Sequence, residues 1–162
     1  MNLKRQIAVI VLALTATTSP VWSQDRQASL SPAAHSLQGT WRVTRYAVNC
    51  ITGQDILSFP AIMTFNQGGT YTGYGVPPGG DPGQGTEYGA WQREPGSQNY
   101  SVRTVSYAYT AEGDFDARVE ITDTLHLTSA NSFEGSATIQ IFDADGNLIV
   151  TVCGRRTATR FE

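Results

Sequence analysis

The stretch SLQGTWRVTRYAVNC, residues 36–50, holds a Gly-Thr-Trp near its start and a cysteine at its end. Within it Trp41, Val43 and Ala47 recur at a spacing of two or four residues, so they share one face of an extended chain. A period of two is typical of a β-strand with one buried face. The stretch therefore predicts a first strand over Thr40–Asn49.

The start of the chain has the pattern of a secretory signal peptide over residues 1–23. Lys4 and Arg5 supply the positive end, and residues 7–16 form an almost unbroken apolar run. The apolar run is shorter than the about 20 residues that cross a bilayer, so we expect no membrane insertion after cleavage. A secreted or periplasmic location is predicted.

The rest of the chain is expected to form one domain after a short leader. Residues 24–36 are polar and rich in Ser and Ala, which favours a flexible lead-in, and residues 37–162 form the folded domain. The sequence holds 11 Lys and Arg against 14 Asp and Glu, and no basic cluster is visible. Nucleic acid is therefore not an expected partner, because phosphate binding needs clustered Lys and Arg.

No cofactor is predicted, and no metal site. The segment at residues 143–147, DADGN, has the Asp and Gly of a calcium loop but lacks its distal glutamate, and it suits a hairpin turn. His126 falls on the polar phase of its strand and has no ligand partner at metal-site spacing.

Eight runs with a period of two follow one another, separated by turn signals rich in Gly, Asn, Asp and Pro. All but one of the breaks after the third run are short, which is the pattern of an up-and-down meander. The sequence predicts an all-β fold, an eight-stranded antiparallel closed barrel. The predicted strands are Thr40–Asn49, Ala61–Phe65, Thr70–Val76, Glu87–Arg93, Asn99–Thr110, Phe115–Thr128, Phe133–Phe142 and Leu148–Arg160.

The alternation of the sixth strand shows which side chains face the interior of such a barrel. The inward set is Phe115, Ala117, Val119, Ile121, Asp123, Leu125 and Leu127, and the residues between them are mostly polar. By the same phase Arg45 and Arg156 also point inward. Two interpretations stay open: an ion-pair cluster near the closed end, or an arginine that orients a ligand's carboxylate or phosphate.

Aromatic residues on the middle strands could line a binding pocket. Tyr71, Trp91 and Tyr107 are the candidates, together with Arg45, Asp123 and Arg156. Aromatic rows on strands also serve in plain packing.

Barrel closure requires the first strand to pair with the last. If Cys50 faces Cys153 across that pairing, Trp41 lies opposite Glu162, with Arg160 as its diagonal neighbour on the same face. These are the chain's two cysteines, and an exported chain can oxidise them. A disulfide between Cys50 and Cys153 is therefore predicted.

Gly39, Trp41 and a late arginine together resemble the lipocalin motif of the calycin superfamily. The resemblance implies that Trp41 plugs the closed end of the barrel and that an arginine lies over its ring, with Arg160 as the first candidate and Arg156 as the second. Avidin-like barrels also open with Gly-Thr-Trp. The chain further resembles a group of small secreted bacterial proteins with GTW near the start and TRFE at the end, which brings no activity with it.

The favoured function is non-covalent binding of a small hydrophobic or amphiphilic ligand in the barrel lumen. A protein-binding barrel, such as an exported protease inhibitor, is the alternative, and it would use the lead-in and the open-end loops. A barrel-type cyclase or isomerase is the third possibility, with Asp123 or a tyrosine in the lumen as acid or base. The sequence favours a binding protein but leaves enzymatic activity open.

Overall fold

The computed structural model describes residues 36–79 and 85–161, and in this part of the chain eight antiparallel strands form a closed barrel. Each strand pairs with the next in sequence, and β8 pairs with β1. The predicted all-β barrel is confirmed, whereas the predicted signal peptide and residues 24–35 of the lead-in lie outside the described residues. The strands are β1 Gly39–Val48, β2 Asp55–Phe65, β3 Thr70–Tyr74, β4 Glu87–Arg93, β5 Asn99–Tyr109, β6 Phe115–Ser129, β7 Ser132–Asp143 and β8 Leu148–Arg160.

The described residues contain no helix long and apolar enough to cross a membrane.

Strand β2 begins six residues before its predicted start, because Pro60 does not end it. Pro60 is paired with Thr44 of β1, whereas the ladder between β2 and β3 begins only at Ile62. The Pro60 carbonyl lies next to Gly75, on the β3 side. The N–H and C=O of one residue in an antiparallel strand point the same way, so the missing N–H of Pro60 faces the unpaired edge.

The pairing of β1 with β8 differs by two residues from the expected register. Trp41 lies directly opposite Arg160, and Arg45 lies directly opposite Arg156. The disulfide between Cys50 and Cys153 is confirmed, with a Cα–Cα distance of 5.2 Å. The expected register was wrong because Cys50 lies in the turn after β1, while Cys153 is paired with Val48.

One residue of the predicted inward set of β6 faces outward. The β5–β6 ladder shifts between Ala108 and Tyr109, so that Tyr109 is paired with Phe115. Phe115 is 41% exposed and contacts the rings of Tyr107 and Tyr109 on the outer surface. A β-bulge adds one residue to one strand, which reverses the inward and outward phase beyond it.

The closed end of the barrel is sealed around Trp41, which is fully buried. Its indole Nε1 donates a hydrogen bond to the Leu37 carbonyl at 2.7 Å, and its ring meets Phe133 edge-on at 4.9 Å. The Arg160 guanidinium lies 4.2 Å from the centre of the Trp41 ring. A cation over an indole contributes about 0.5–2 kcal/mol, so the contact both covers and stabilises the plug.

Arg160 also holds the chain that precedes β1. Its guanidinium donates to the carbonyls of Ser36, Gln38 and Ala130. Gly39 has a φ of 121°, and a Cβ at this position would lie 2.8 Å from Arg160 Nη1. A glycine is therefore required at position 39, both for its backbone conformation and for the approach of Arg160.

Replacing Trp41 with Ala should lower the free energy of unfolding by about 3–5 kcal/mol, the usual cost of deleting a large buried aromatic. Urea unfolding followed by circular dichroism measures it. Tyr88→Ala is the control, because the side chain of Tyr88 is 60% exposed. Equal midpoints for the two variants would show that Trp41 is not the plug.

The disulfide closes a loop with a sequence separation of 103 residues. Chain entropy predicts that the variant Cys50→Ala/Cys153→Ala loses about 2–5 kcal/mol of stability, because its unfolded chain is no longer cross-linked. Urea unfolding of the wild type with and without reductant gives the matched comparison. An unchanged midpoint in both experiments would contradict the prediction.

Candidate functional site

The closed half of the barrel is filled by a packed apolar base. Trp41 and its neighbours form one continuous cluster of buried side chains. The members are Leu37, Trp41, Val43, Ala61, Met63, Phe65, Tyr71, Tyr100, Val102, Leu125, Leu127, Phe133 and Ala158, with Trp91 packed against them.

A layer of buried side chains, four of them charged and one a tyrosine, lies above this base. We call it the floor, and its members are Arg45, Tyr71, Glu87, Asp123 and Arg156. Arg45 of β1 donates from both terminal nitrogens to the two carboxylate oxygens of Glu87 on β4, with Nη2 2.7 Å from Oε2. The Tyr71 hydroxyl donates to Glu87 Oε2 at 3.0 Å and accepts from Arg45 Nη2 at 3.3 Å. This two-pronged arginine–carboxylate geometry is the strongest form of such a pair.

Gly73 makes room for the Tyr71 side chain to enter the floor. A Cβ at position 73 would lie 2.0 Å from the Tyr71 hydroxyl oxygen. The Tyr71 side chain therefore lies across Gly73, with its ring in the base and its hydroxyl in the floor. The ring packs 5.3 Å from that of Phe65.

The second ion pair of the floor joins β6 and β8. Arg156 Nε donates to Asp123 Oδ1 at 2.9 Å, and both side chains are about as buried as the first pair. The described residues supply no hydrogen bond to the two terminal nitrogens of Arg156. Among the described residues, no hydrogen-bond partner is present for Arg45 Nε or for the buried hydroxyls of Thr104 and Ser106 on β5.

The two carboxyl groups of the floor respond differently to their surroundings. Burial, the largest influence, would raise the pKa of Glu87, but the hydrogen bonds and charge of Arg45 lower it below its usual value. Burial raises the pKa of Asp123, and the attraction of Arg156 only partly offsets it. Burial, together with the Glu87 charge, also holds the pKa of Tyr71 well above its usual value.

Above the floor lies a cavity of about 330 Å³ that we call the cup. Arg45, Glu87 and Arg156 line its bottom, whereas Asp123 is not part of its lining. Its walls are mainly apolar side chains from β1, β2, β6, β7 and β8, among them Ala47, Leu57, Phe59, Ile121, Ile139 and Val152. The cup is therefore an apolar space with a few charged groups at one end.

The structure brings together four of the six predicted ligand-binding residues. Arg45, Tyr71, Asp123 and Arg156 meet in the floor, between the packed base and the cup. Trp91 lies in the base, where its ring is 6.0 Å from Phe65 and 5.9 Å from Tyr100.

Tyr107 lies outside the lumen, contrary to the expectation that it walls the pocket. Its side chain is 45% exposed and packs on Phe115. The residue sits on the outward phase of β5, between the inward-facing Ser106 and Ala108.

Sequence reasoning missed Glu87, the partner of Arg45. The residue begins β4, and its inward phase continues through Gly89 and Trp91. Two inward arginines in a lumen already indicated that two carboxylates should face them, because buried charges pair. With Asp123 as one of the two, the phase of Trp91 pointed to Glu87 as the other.

A larger concave region of about 870 Å³ lies on the outer surface of β8, β1, β2 and β3. Arg42, Ile62, Tyr74 and Phe161 line it, and the Arg42 guanidinium lies 4.5 Å from the centre of the Phe161 ring. This region is open to solvent and lies apart from the charged floor, so the cup is the better candidate for a ligand site.

No protein-family model matches the sequence, and no curated protein matches it either. Among solved structures, the chain is similar to EF1p2_mFAP2b bound to DFHBI, with 19% identity and a TM-score of 0.53 over 82% of this chain and all of that one. It is also matched to the S-type phycobiliprotein lyase CPES from Guillardia theta, with 10% identity and a TM-score of 0.40 over 80% of this chain and 90% of that one. The first similarity supports the barrel fold.

Glu87→Gln should cost about 3–5 kcal/mol of stability at pH 7, because it breaks a buried ion pair and strands Arg45. Asp123→Asn should cost less, because burial opposes the charge of Asp123 and offsets part of its attraction to Arg156. Urea unfolding of both variants gives the ranking, and the reverse order would contradict it.

The pH dependence of the two variants should have opposite signs. The lowered pKa of Glu87 means that its contribution to stability is present above about pH 4.3 and is lost as pH falls through the folded pKa. The raised pKa of Asp123 means that its contribution is complete below about pH 3.9 and is lost as pH rises through the folded pKa. The wild type's advantage over Glu87→Gln should therefore grow with pH, and its advantage over Asp123→Asn should shrink.

Proposed function

We propose that the protein binds a small hydrophobic or amphiphilic molecule non-covalently in the cup. The observation that carries the proposal is the cavity of about 330 Å³, open above a base that is already filled. Ligand pockets typically measure about 300–1,000 Å³ and combine apolar walls with a few polar groups that fix orientation. The cup has this composition.

A barrel of similar fold, EF1p2_mFAP2b, has been solved bound to DFHBI, so a small molecule is compatible with this architecture. The disulfide favours an oxidising compartment, which agrees with the export predicted from residues 1–23. We therefore place the proposed binding outside the cytoplasm.

The carboxyl groups of the floor support binding over catalysis. Glu87 reaches the cup, but it is held ionised by three hydrogen bonds from Arg45 and Tyr71. A group saturated in this way is a poor proton carrier. Asp123 has a raised pKa, yet it is not part of the cup lining and lies behind Arg156.

A protein-binding role is the second candidate, favoured by apolar side chains at the open rim. Ile51, in the turn before β2, is 95% exposed, and Ile56, the second residue of β2, is 66% exposed. Ile149, the second residue of β8, is 61% exposed. Exposed apolar clusters mark interaction sites. Ile51→Ser/Ile149→Ser would weaken such an interaction and leave the cup unchanged, so the two roles can be separated.

The ligand proposal is tested with N-phenyl-1-naphthylamine, an uncharged dye whose fluorescence rises in apolar surroundings. We expect the wild type to bind it and Ala47→Phe to lose binding, because Ala47 lines the cup and a phenyl ring would fill it. Ala90→Phe is the matched control, since Ala90 is exposed on the outer face of β4. Equal binding by the two folded variants would remove the cup as the site.

A further inference from the structure

The bottom of the cup has more hydrogen-bond donors than acceptors. Arg156 carries five N–H donors, and among the described residues only its Nε has a partner, Asp123. Arg45 Nε likewise has no partner in the described part of the chain. In contrast, Glu87, the carboxylate that reaches the cup, already accepts three hydrogen bonds. A ligand that completes this layer has to bring an acceptor, because a buried donor without a partner is costly.

The charges of the floor are already balanced, which restricts the kind of acceptor. Among the described residues that face the lumen, Arg45 and Arg156 supply two positive charges, and Glu87 and Asp123 supply two negative ones. A ligand carboxylate at Arg156 would add a third negative charge to a buried layer that contains two cations. Like charges in such a site cost several kcal/mol, whereas an uncharged oxygen adds no imbalance.

We propose that the cup takes an uncharged amphiphile whose polar end carries an acceptor oxygen, as in a ketone, aldehyde or ester, and that the terminal nitrogens of Arg156 hold this oxygen. The apolar remainder of the ligand would lie along Ile121, Ile139 and Val152 of the wall. This inference rests on the proposed function, since it concerns the class of ligand that the same cavity accepts.

The test uses two nine-carbon competitors at pH 7, 2-nonanone and nonanoate, which displace N-phenyl-1-naphthylamine from the protein. For the wild type we expect 2-nonanone to bind at least about tenfold more tightly, which corresponds to a modest part of the charge penalty. Tighter or equal binding of nonanoate by the wild type overturns the inference.

Removing one negative charge from the floor should reverse this order. Asp123→Asn keeps an oxygen for Arg156 Nε but leaves the floor with one net positive charge, so nonanoate should now bind more tightly than 2-nonanone. In Asp123→Asn/Arg156→Gln the preference for nonanoate should disappear, because the cation that attracts it is gone. Glu87→Gln makes the same charge change from another strand and should shift the order in the same direction.

The control is Asp116→Asn, which removes the charge of an exposed aspartate at the start of the same strand, β6. It should leave the wild-type order unchanged. An order in Asp123→Asn that matches the wild type overturns the inference while dye binding still supports the proposed function. Failure of the dye itself to bind the wild type would instead overturn the proposed function.

Discussion

Two arginines face each other inside this barrel, and much of the interior follows from that constraint. The pairing of β1 with β8 closes the barrel and sets Arg45 directly opposite Arg156. Like charges on directly opposite residues repel, and burial removes the water that would screen them. Two buried carboxylates offset this repulsion, because Glu87 pairs with Arg45 and Asp123 pairs with Arg156.

The layer of ion pairs divides the lumen into two regions that differ in packing. Below the floor, Trp41 and the aromatic side chains around it pack into a continuous core, which Arg160 covers from outside. Above it, the walls stay apolar but leave space. The ion pairs thus lie at the boundary between the packed core of the barrel and its cavity.

The strands and their closure could be predicted from the sequence because a period of two and short turns are local signals. The disulfide could also be predicted, since the chain has two cysteines, one near the first strand and one on the last. The register was not, because Cys50 lies beyond the end of β1 and reaches back to Cys153. The outward orientation of Phe115 depends on a bulge at Asp116, opposite Ala108 and Tyr109, and the alternation of either strand alone does not reveal it.

One floor residue, Glu87, was not predicted, for a different reason. The ion pairs of the floor join strands that are not hydrogen-bonded neighbours, β1 with β4 and β6 with β8, so strand pairing does not bring the partners together in any sequence pattern. Inward phase identified Arg45, Asp123 and Arg156. Glu87 was overlooked because a short strand with Gly89 at its next inward position gives a weak alternation.

The division of the lumen has a consequence for how this scaffold can be changed. Because the packed base and the two ion pairs hold the barrel together, the side chains of the cup wall contribute less to its folding than those below. Substitutions at Leu57, Ile139 or Val152 should therefore reshape the binding space with little loss of foldedness. The barrel is thus a natural starting point for engineering receptors for new small molecules, with the floor kept constant and the wall varied.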